Sequence, residues 1–228
     1  PSLLADADLQ PLKTVTYEAG TNVSLFKDRL SFDVAVYSGK TSNQIISRII
    51  DAASGYTSAK TNLSAVSNKG IEVSINATPV RTRDFKWTTS VNFSSNKNTV
   101  SGLTDSTIVL FSGPTGGTQI IATNGGSVGD LYGIGFQRDP NGHVIFNDTT
   151  GFAELTDNVK YLGKTTPSGK ISLGNTFTYK SFSLNLLFDA QYGAVAYSLS
   201  SYKLAEEGKT TNTLPGRYSG IIGNGVVQ

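Results

Sequence analysis

The stretch Thr14-Val15-Thr16-Tyr17-Glu18-Ala19-Gly20-Thr21-Asn22-Val23-Ser24-Leu25-Phe26-Lys27-Asp28-Arg29-Leu30-Ser31-Phe32-Asp33-Val34-Ala35-Val36 alternates apolar and polar residues on either side of a short polar turn. Successive strand side chains point to opposite faces. Val15, Tyr17, Ala19, Val23 and Leu25 therefore share one face, while Thr14, Thr16, Glu18, Gly20, Asn22 and Ser24 share the other. Beyond Lys27-Asp28-Arg29 the apolar set is Leu30, Phe32, Val34 and Val36. The shape recurs with Ile71, Val73, Ile75 and Ala77 followed by Phe85, Trp87, Val91 and Phe93. It recurs again with Ile171, Leu173, Phe177 and Tyr179 followed by Phe182, Leu184, Leu186 and Phe188. Short turns on one side and long Gly/Ser/Asn/Thr-rich excursions on the other predict an all-β fold, an antiparallel transmembrane β-barrel segment of about six long strands.

Charge placement sharpens the reading. Glu18, Asp33, Glu72, Lys86 and Asp189 all fall on the polar parity of their strands. A lipid-facing Lys or Arg near mid-bilayer costs about 2–4 kcal/mol, so a barrel wall with a wet lumen excludes such residues from its outer face. An antiparallel sheet with one solvated face predicts the same pattern. Asn175 on an apolar parity and Leu187 on a polar one are exceptions. Length favours the barrel: the alternations run over 14–26, 85–100 and 182–195, beyond the roughly 9–11 residues a tilted spanning strand needs. Phe26, Phe85, Trp87, Tyr179 and Phe182 crowd the tight-turn ends. They fit a membrane girdle and the core of a soluble sandwich equally well.

The 228 residues contain no Cys, 24 Gly and 16% charged residues, with a net charge of +2. Without Cys there are no disulfides, thiolate chemistry or Cys-zinc sites. The near-neutral charge gives no general pull on nucleic acid. A mean hydropathy of -0.14 suits alternating strands, and no stretch reaches the roughly 20 apolar residues of a spanning helix. A start at Pro1 and the absence of Met predict a piece of a longer polypeptide.

Residues 44–67 read as a first long loop, whose Ile45-Ile46 and Ile49-Ile50 pairs either extend the preceding strand or form a short helix. Residues 101–169 read as a long extracellular loop with an inserted hairpin, turned at Asp139-Pro140-Asn141-Gly142. Residues 198–228 read as a third loop. Chemistry-bearing groups are sparse. His143, the single histidine, sits beside that turn with no nucleophile-elbow context. Asp139, Asn141, Asn147 and Asp148 read as turn chemistry, because no Glu closes a calcium loop. Glu206-Glu207 read as solvated carboxylates, and Gly113-Pro114-Thr115-Gly116-Gly117 lacks the Lys-Ser/Thr of a phosphate loop. No catalytic residue, metal site or cofactor is expected, and the chain does not read as an enzyme.

Several ordered segments carry a family resemblance. Asn68-Lys69-Gly70-Ile71-Glu72-Val73-Ser74-Ile75-Asn76-Ala77-Thr78-Pro79 resembles a strand of the SusC/RagA-type TonB-linked outer-membrane transporters of the Bacteroidetes. Tyr17-Glu18-Ala19-Gly20, the 91–98 stretch Val-Asn-Phe-Ser-Ser-Asn-Lys-Asn, Gly129-Asp130-Leu131-Tyr132-Gly133 and the 174–180 stretch Gly-Asn-Thr-Phe-Thr-Tyr-Lys resemble flanking strands in the same order. The resemblance implies that residues 1–228 form part of the C-terminal half of a 22-stranded barrel, with the plug, TonB box and final strands outside it. It implies uptake of oligosaccharides or peptides across the outer membrane, with TonB and a SusD-like surface lipoprotein as partners. Glu18, Asp33, Glu72, Lys86 and Asp189 would then face the lumen, and the loop tyrosines Tyr56, Tyr132, Tyr161 and Tyr202 would be the candidate ligand contacts. Two other readings stand beside it: a soluble β-sandwich binding module for carbohydrate or protein, and a surface adhesin.

Overall fold

The structure is a computed structural model that describes residues 3–6, 8–103, 105–113, 117–214, 217–218 and 225–227. In chain order the strands are β1 (Leu3–Ala5), β2 (Lys13–Leu25), β3 (Leu30–Ile49), β4 (Ser58–Arg81), β5 (Phe85–Ser101), β6 (Thr107–Ser112) and β7 (Thr118–Thr123). They continue as β8 (Asp130–Gly133), β9 (Val144–Phe146), β10 (Lys160–Lys164), β11 (Gly169–Tyr179), β12 (Phe182–Tyr192) and β13 (Gly225–Val227). Among the described residues one α-helix, α1 (Leu199–Glu206), begins where the Ser198 side chain accepts from the Ser201 N–H at 3.2 Å. Among the described residues no helix is long and apolar enough to cross a membrane.

Six long strands form an antiparallel wall in the order β12-β11-β5-β4-β3-β2, with β1 added alongside β4. Three tight turns close hairpins at one end of this wall. Phe26–Arg29 joins β2 to β3, Thr82–Asp84 joins β4 to β5, and Lys180-Ser181 joins β11 to β12. Phe26, Lys27 and Asp28 all take left-handed backbone angles, with φ of 55, 56 and 62°. Neighbouring turns are linked, because the Thr78 N–H donates to the Arg29 carbonyl at 2.7 Å and the Lys180 N–H to that of Asp84 at 2.8 Å.

Residues 44–67 are not a loop. β3 runs on to Ile49 and β4 starts at Ser58, paired from Gln44↔Leu63 to Ile49↔Ser58, so only a short 3-10 turn at Ala52–Ser54 separates them. The Ile45-Ile46 pair therefore extends the preceding strand. Doubled apolar residues blurred the alternation because Ile46 packs on a buried cluster of Val66, Val100, Leu103 and Ala122.

That cluster is the protein core, and it lies at the wall end away from the tight turns. There β6, β7, β8 and β10 form a separate four-stranded sheet, ordered β10-β8-β7-β6, within residues 101–169. The Val100 N–H donates to the Gly126 carbonyl at 2.8 Å, and the Gly125 N–H to that of Val100 at 2.9 Å. The Asn98 Oδ1 accepts from the Val128 N–H at 3.0 Å, while its Nδ2 donates to the Asn68 Oδ1 at 2.9 Å. Buried Asp130 accepts from the Ser127 N–H at 2.9 Å. The turn at 139–142 closes a short hairpin, with Arg138 bridging Val144. Its arms then diverge, since Tyr132 pairs with Tyr161 and Gln119 instead. In residues 198–228, α1 precedes β13, which lies parallel to β9.

Candidate functional site: a wall with two faces

Directly opposed residues of an antiparallel pair face the same side, so the register sorts every wall residue. Across one level run Val34, Val73, Phe93 and Ile171; across the next run Phe32, Ile75, Val91, Leu173 and Phe188. Every apolar residue singled out by alternation falls on this single face. Among the described residues no second layer covers it, and Phe182 and Phe188 stand 78% and 61% exposed. Thr21, Thr89 and Asn175 are polar members of this face, and Lys40, Lys69 and Lys97 share it toward the end away from the tight turns. The Asn175 Oδ1 accepts from the Trp87 Nε1–H at 3.0 Å.

Glu18, Asp33, Glu72, Lys86 and Asp189 all lie on the opposite face. A row at one level runs Asn22, Asp33, Ser74, Asn92, Ser172 and Asp189 across all six strands. Its members bond in pairs: the Asn22 Nδ2 donates to the Asp33 Oδ2 at 3.1 Å, the Ser74 Oγ to the Asn92 Oδ1 at 2.8 Å, and the Ser172 hydroxyl to Asp189. Hollows lie along this face. One of about 540 Å³ is lined by Asn76, Thr88, Ser90, Thr176, Asn185 and Leu187. Another, of about 330 Å³, is lined by Asp33, Glu72, Ser74, Asn92, Ser94 and Lys170. Leu187, the apolar exception, is 69% exposed at the edge of the first hollow. These hollows on the hydrophilic side fit a sheet curled toward that side.

A bulge changes one assignment that alternation alone would give. Between Ala77 and Val80 the pairing of β4 with β5 shifts by one residue, so Val80 opposes Trp87 and Arg81 opposes Lys86 on the polar face. The exposed carbonyls of the bulge are held by Arg29, whose Nη2 donates to Thr78 O at 3.2 Å and Pro79 O at 2.9 Å. Parity reading missed Lys170 and Arg81 as polar-face charges. The even numbering of Lys170 in β11 was the available signal for the first; nothing short of the bulge signalled the second.

The aromatic candidates lie at the turn end, with Phe26 in the turn itself. Phe85, Tyr179 and Phe182 form one cross-strand row, and Trp87 stacks on Phe177 with ring centroids 5.8 Å apart. Of the loop tyrosines, only Tyr132 and Tyr161 meet, edge to face at 5.6 Å. Tyr202 is on α1 with the Lys203 ammonium 5.4 Å from its ring centroid, and Tyr56 sits at the β3–β4 connection. The Lys203 Nζ donates to the Glu206 Oε2 at 2.6 Å. This bond is the chief reason that Glu206 lies below the usual carboxylate range and Lys203 above the usual amine range. Glu207 turns instead to Lys209 at 3.4 Å. Pro114–Gly116 of the glycine-rich stretch lie outside the described residues.

His143 has Asp139 as its partner, with Nδ1 3.2 Å from Oδ2. Partial loss of hydration raises the Asp139 carboxyl, but the His143 N–H, its imidazole and Asn141 together hold it below the usual range. Among the described residues no His/Asp/Glu group could hold a metal.

The family model described as "TonB dependent receptor-like, beta-barrel" matches residues 2–212. The chain belongs to the TonB-dependent receptor β-barrel family. TonB-dependent receptor P3 of Formosa agariphila is 31% identical over 215 residues, covering 84% of this chain and 21% of that protein. TonB-dependent receptor SusC of Bacteroides thetaiotaomicron is 29% identical over 200 residues, covering 81% of this chain and 20% of that protein. The chain thus spans about a fifth of the length of these relatives. A solved structure described as that of the RagAB peptide transporter superposes with a TM-score of 0.63 at 21% identity, over 80% of this chain and 21% of that one. The fold is therefore that of a TonB-dependent receptor barrel, represented here by an open arc of its wall.

Proposed function

We propose that this chain is a wall segment of an outer-membrane TonB-dependent importer. The observation that carries the reading is the uncovered apolar face running across all six wall strands on the side nearer the tight turns, opposite a face that holds Glu18, Asp33, Glu72, Lys86 and Asp189. Hydrocarbon accepts the first face, and the second needs water or polar partners. Glu18, Asp33, Glu72, Lys86 and Asp189 then face the lumen, while Phe85, Trp87, Tyr179 and Phe182, with Phe26 below them, mark the headgroup layer on the tight-turn side. The four-stranded sheet within 101–169 stands on the extracellular rim. Tyr56, Tyr132, Tyr161 and Tyr202 are the candidate ligand contacts, of which Tyr132 and Tyr161 meet edge to face. The cargo is a large nutrient of the oligosaccharide or peptide class, TonB supplies the energy coupling, and a SusD-like lipoprotein is the surface partner. Likeness to SusC and to the RagAB peptide transporter supports these assignments.

Spin labels in the reconstituted protein test the reading. Labels at Val73, Phe93 and Leu184 should collide with oxygen dissolved in lipid, and labels at Ser94 and Ser183 with a water-soluble nickel chelate. The reverse pattern, or water access at both sets, refutes the wall.

A further inference from the structure

We infer that the tight-turn end of the wall is a binding rim for the headgroups of anionic phospholipids. The inference rests on the outer-wall reading above and adds a partner to it. Within residues 26–29, 81–84 and 180–181 stand the cations Lys27, Arg29, Arg81, Arg83 and Lys180 against only the carboxylates Asp28 and Asp84. Arg29 is committed to the carbonyls of the β4 bulge. The remaining cations form no ion pair among the described residues, where the ion pairs are Arg48–Asp105, His143–Asp139, Lys203–Glu206 and Lys209–Glu207.

Arg81 opposes Lys86 on the polar face, whereas Lys27, Arg83 and Lys180 lie in the turns just beyond the aromatic row of the apolar face. Phe85, Tyr179 and Phe182 are aligned across three strands at that level. The Lys180 Nζ sits 5.5 Å from the Tyr179 ring centroid, which places an ammonium against the apolar face. Rings at the hydrocarbon boundary with cations one residue further out match the order of layers in a phospholipid leaflet, where phosphate lies just outside the acyl region. Charge complementarity selects the occupant, since a phosphodiester without a compensating amine matches the uncompensated cations and a zwitterionic headgroup does so less well. An acidic protein segment would need a cleft, and the hollow reaching this end, lined by Asn76, Thr88 and Thr176, opens on the polar face instead.

The test uses the protein expressed at full length in detergent, equilibrated with vesicles of phosphatidylethanolamine alone or mixed with phosphatidylglycerol, with retained lipids counted by native mass spectrometry. The unaltered protein should retain phosphatidylglycerol several-fold over phosphatidylethanolamine, less so at high salt. The triple change Lys27→Asn, Arg83→Ser and Lys180→Asn should bring that preference close to equal retention of the two lipids. Asn is chosen because Lys27 and Lys180 have φ of 56 and 52°, angles that Asn tolerates. Lys180→Arg should keep the preference. Equal retention of both lipids, an undiminished preference in the triple variant, or an acidic polypeptide bound in place of lipid overturns the inference. Spin labels at Val73 and Phe93 in the same preparation separate the two failures: if they remain lipid-facing, only the rim is wrong; if they meet water, the wall reading falls and the rim with it.

Discussion

Trp87 and Asn175 make a polar pair on the uncovered apolar face, the indole N–H donating to the amide oxygen. Replacing Trp87 with Phe leaves the amide without its donor, at a cost of about 1–3 kcal/mol. Unfolding of the detergent-solubilised barrel in urea should show that loss for Trp87→Phe and recovery of most of it for the double change with Asn175→Leu. At the hairpin tip, Asp139 Oδ1 accepts from the N–H groups of Asn141 at 2.9 Å and His143 at 2.7 Å. Its folded pKa lies below its unfolded one, so its contribution is complete above the usual carboxylate range. That contribution is lost as pH falls through the lowered folded value. Protection of the His143 amide, taken relative to the intrinsic exchange rate at each pH, should fall only on acidification below that range, and Asp139→Asn should abolish that fall.

Strands carry most of what alternation could tell. The two-residue period in β2, β11 and β12 was legible because neither face of these strands is covered by protein, so polarity alone decides each side chain. It failed for the far halves of β3 and β4, where Ile46 and Val66 are drawn into the core under the small sheet, so that packing and not water decides which side chains are apolar. The bulge at Thr78-Pro79 was invisible for another reason: it is fixed by Arg29 reaching across from a neighbouring turn, and no local pattern records that. Gly70 marks a close approach between strands, since a Cβ there would meet the Tyr37 ring and would lie 2.6 Å from the Ser95 carbonyl oxygen. Gly70→Ala should therefore destabilise the β3–β4–β5 region by about 1–3 kcal/mol, read as faster amide exchange at Tyr37 and Ser95 than at Phe177.

At the scale of the whole molecule, the arc exposes an apolar face and ends in the two strands β12 and β2, whose outer edges have no ladder partner among the described residues. Expressed by itself, the 228-residue chain should sediment as aggregate in plain buffer and disperse only with detergent; a monodisperse monomer in buffer would contradict the wall. Fold and family were legible because they depend on strand periodicity and ordered segments within this chain. The contact between Tyr132 and Tyr161 was not, because their rings meet through the pairing of β8 with β10, a register that sequence spacing does not set. Val100, wholly buried where the wall joins the small sheet, gives the arc an uneven distribution of strength. The outer end holds itself together, while the hairpins at the other end rely on their surroundings. Such a piece is knotted at the top and frayed at the hem, and when stripped of lipid it should unravel upward from the turns.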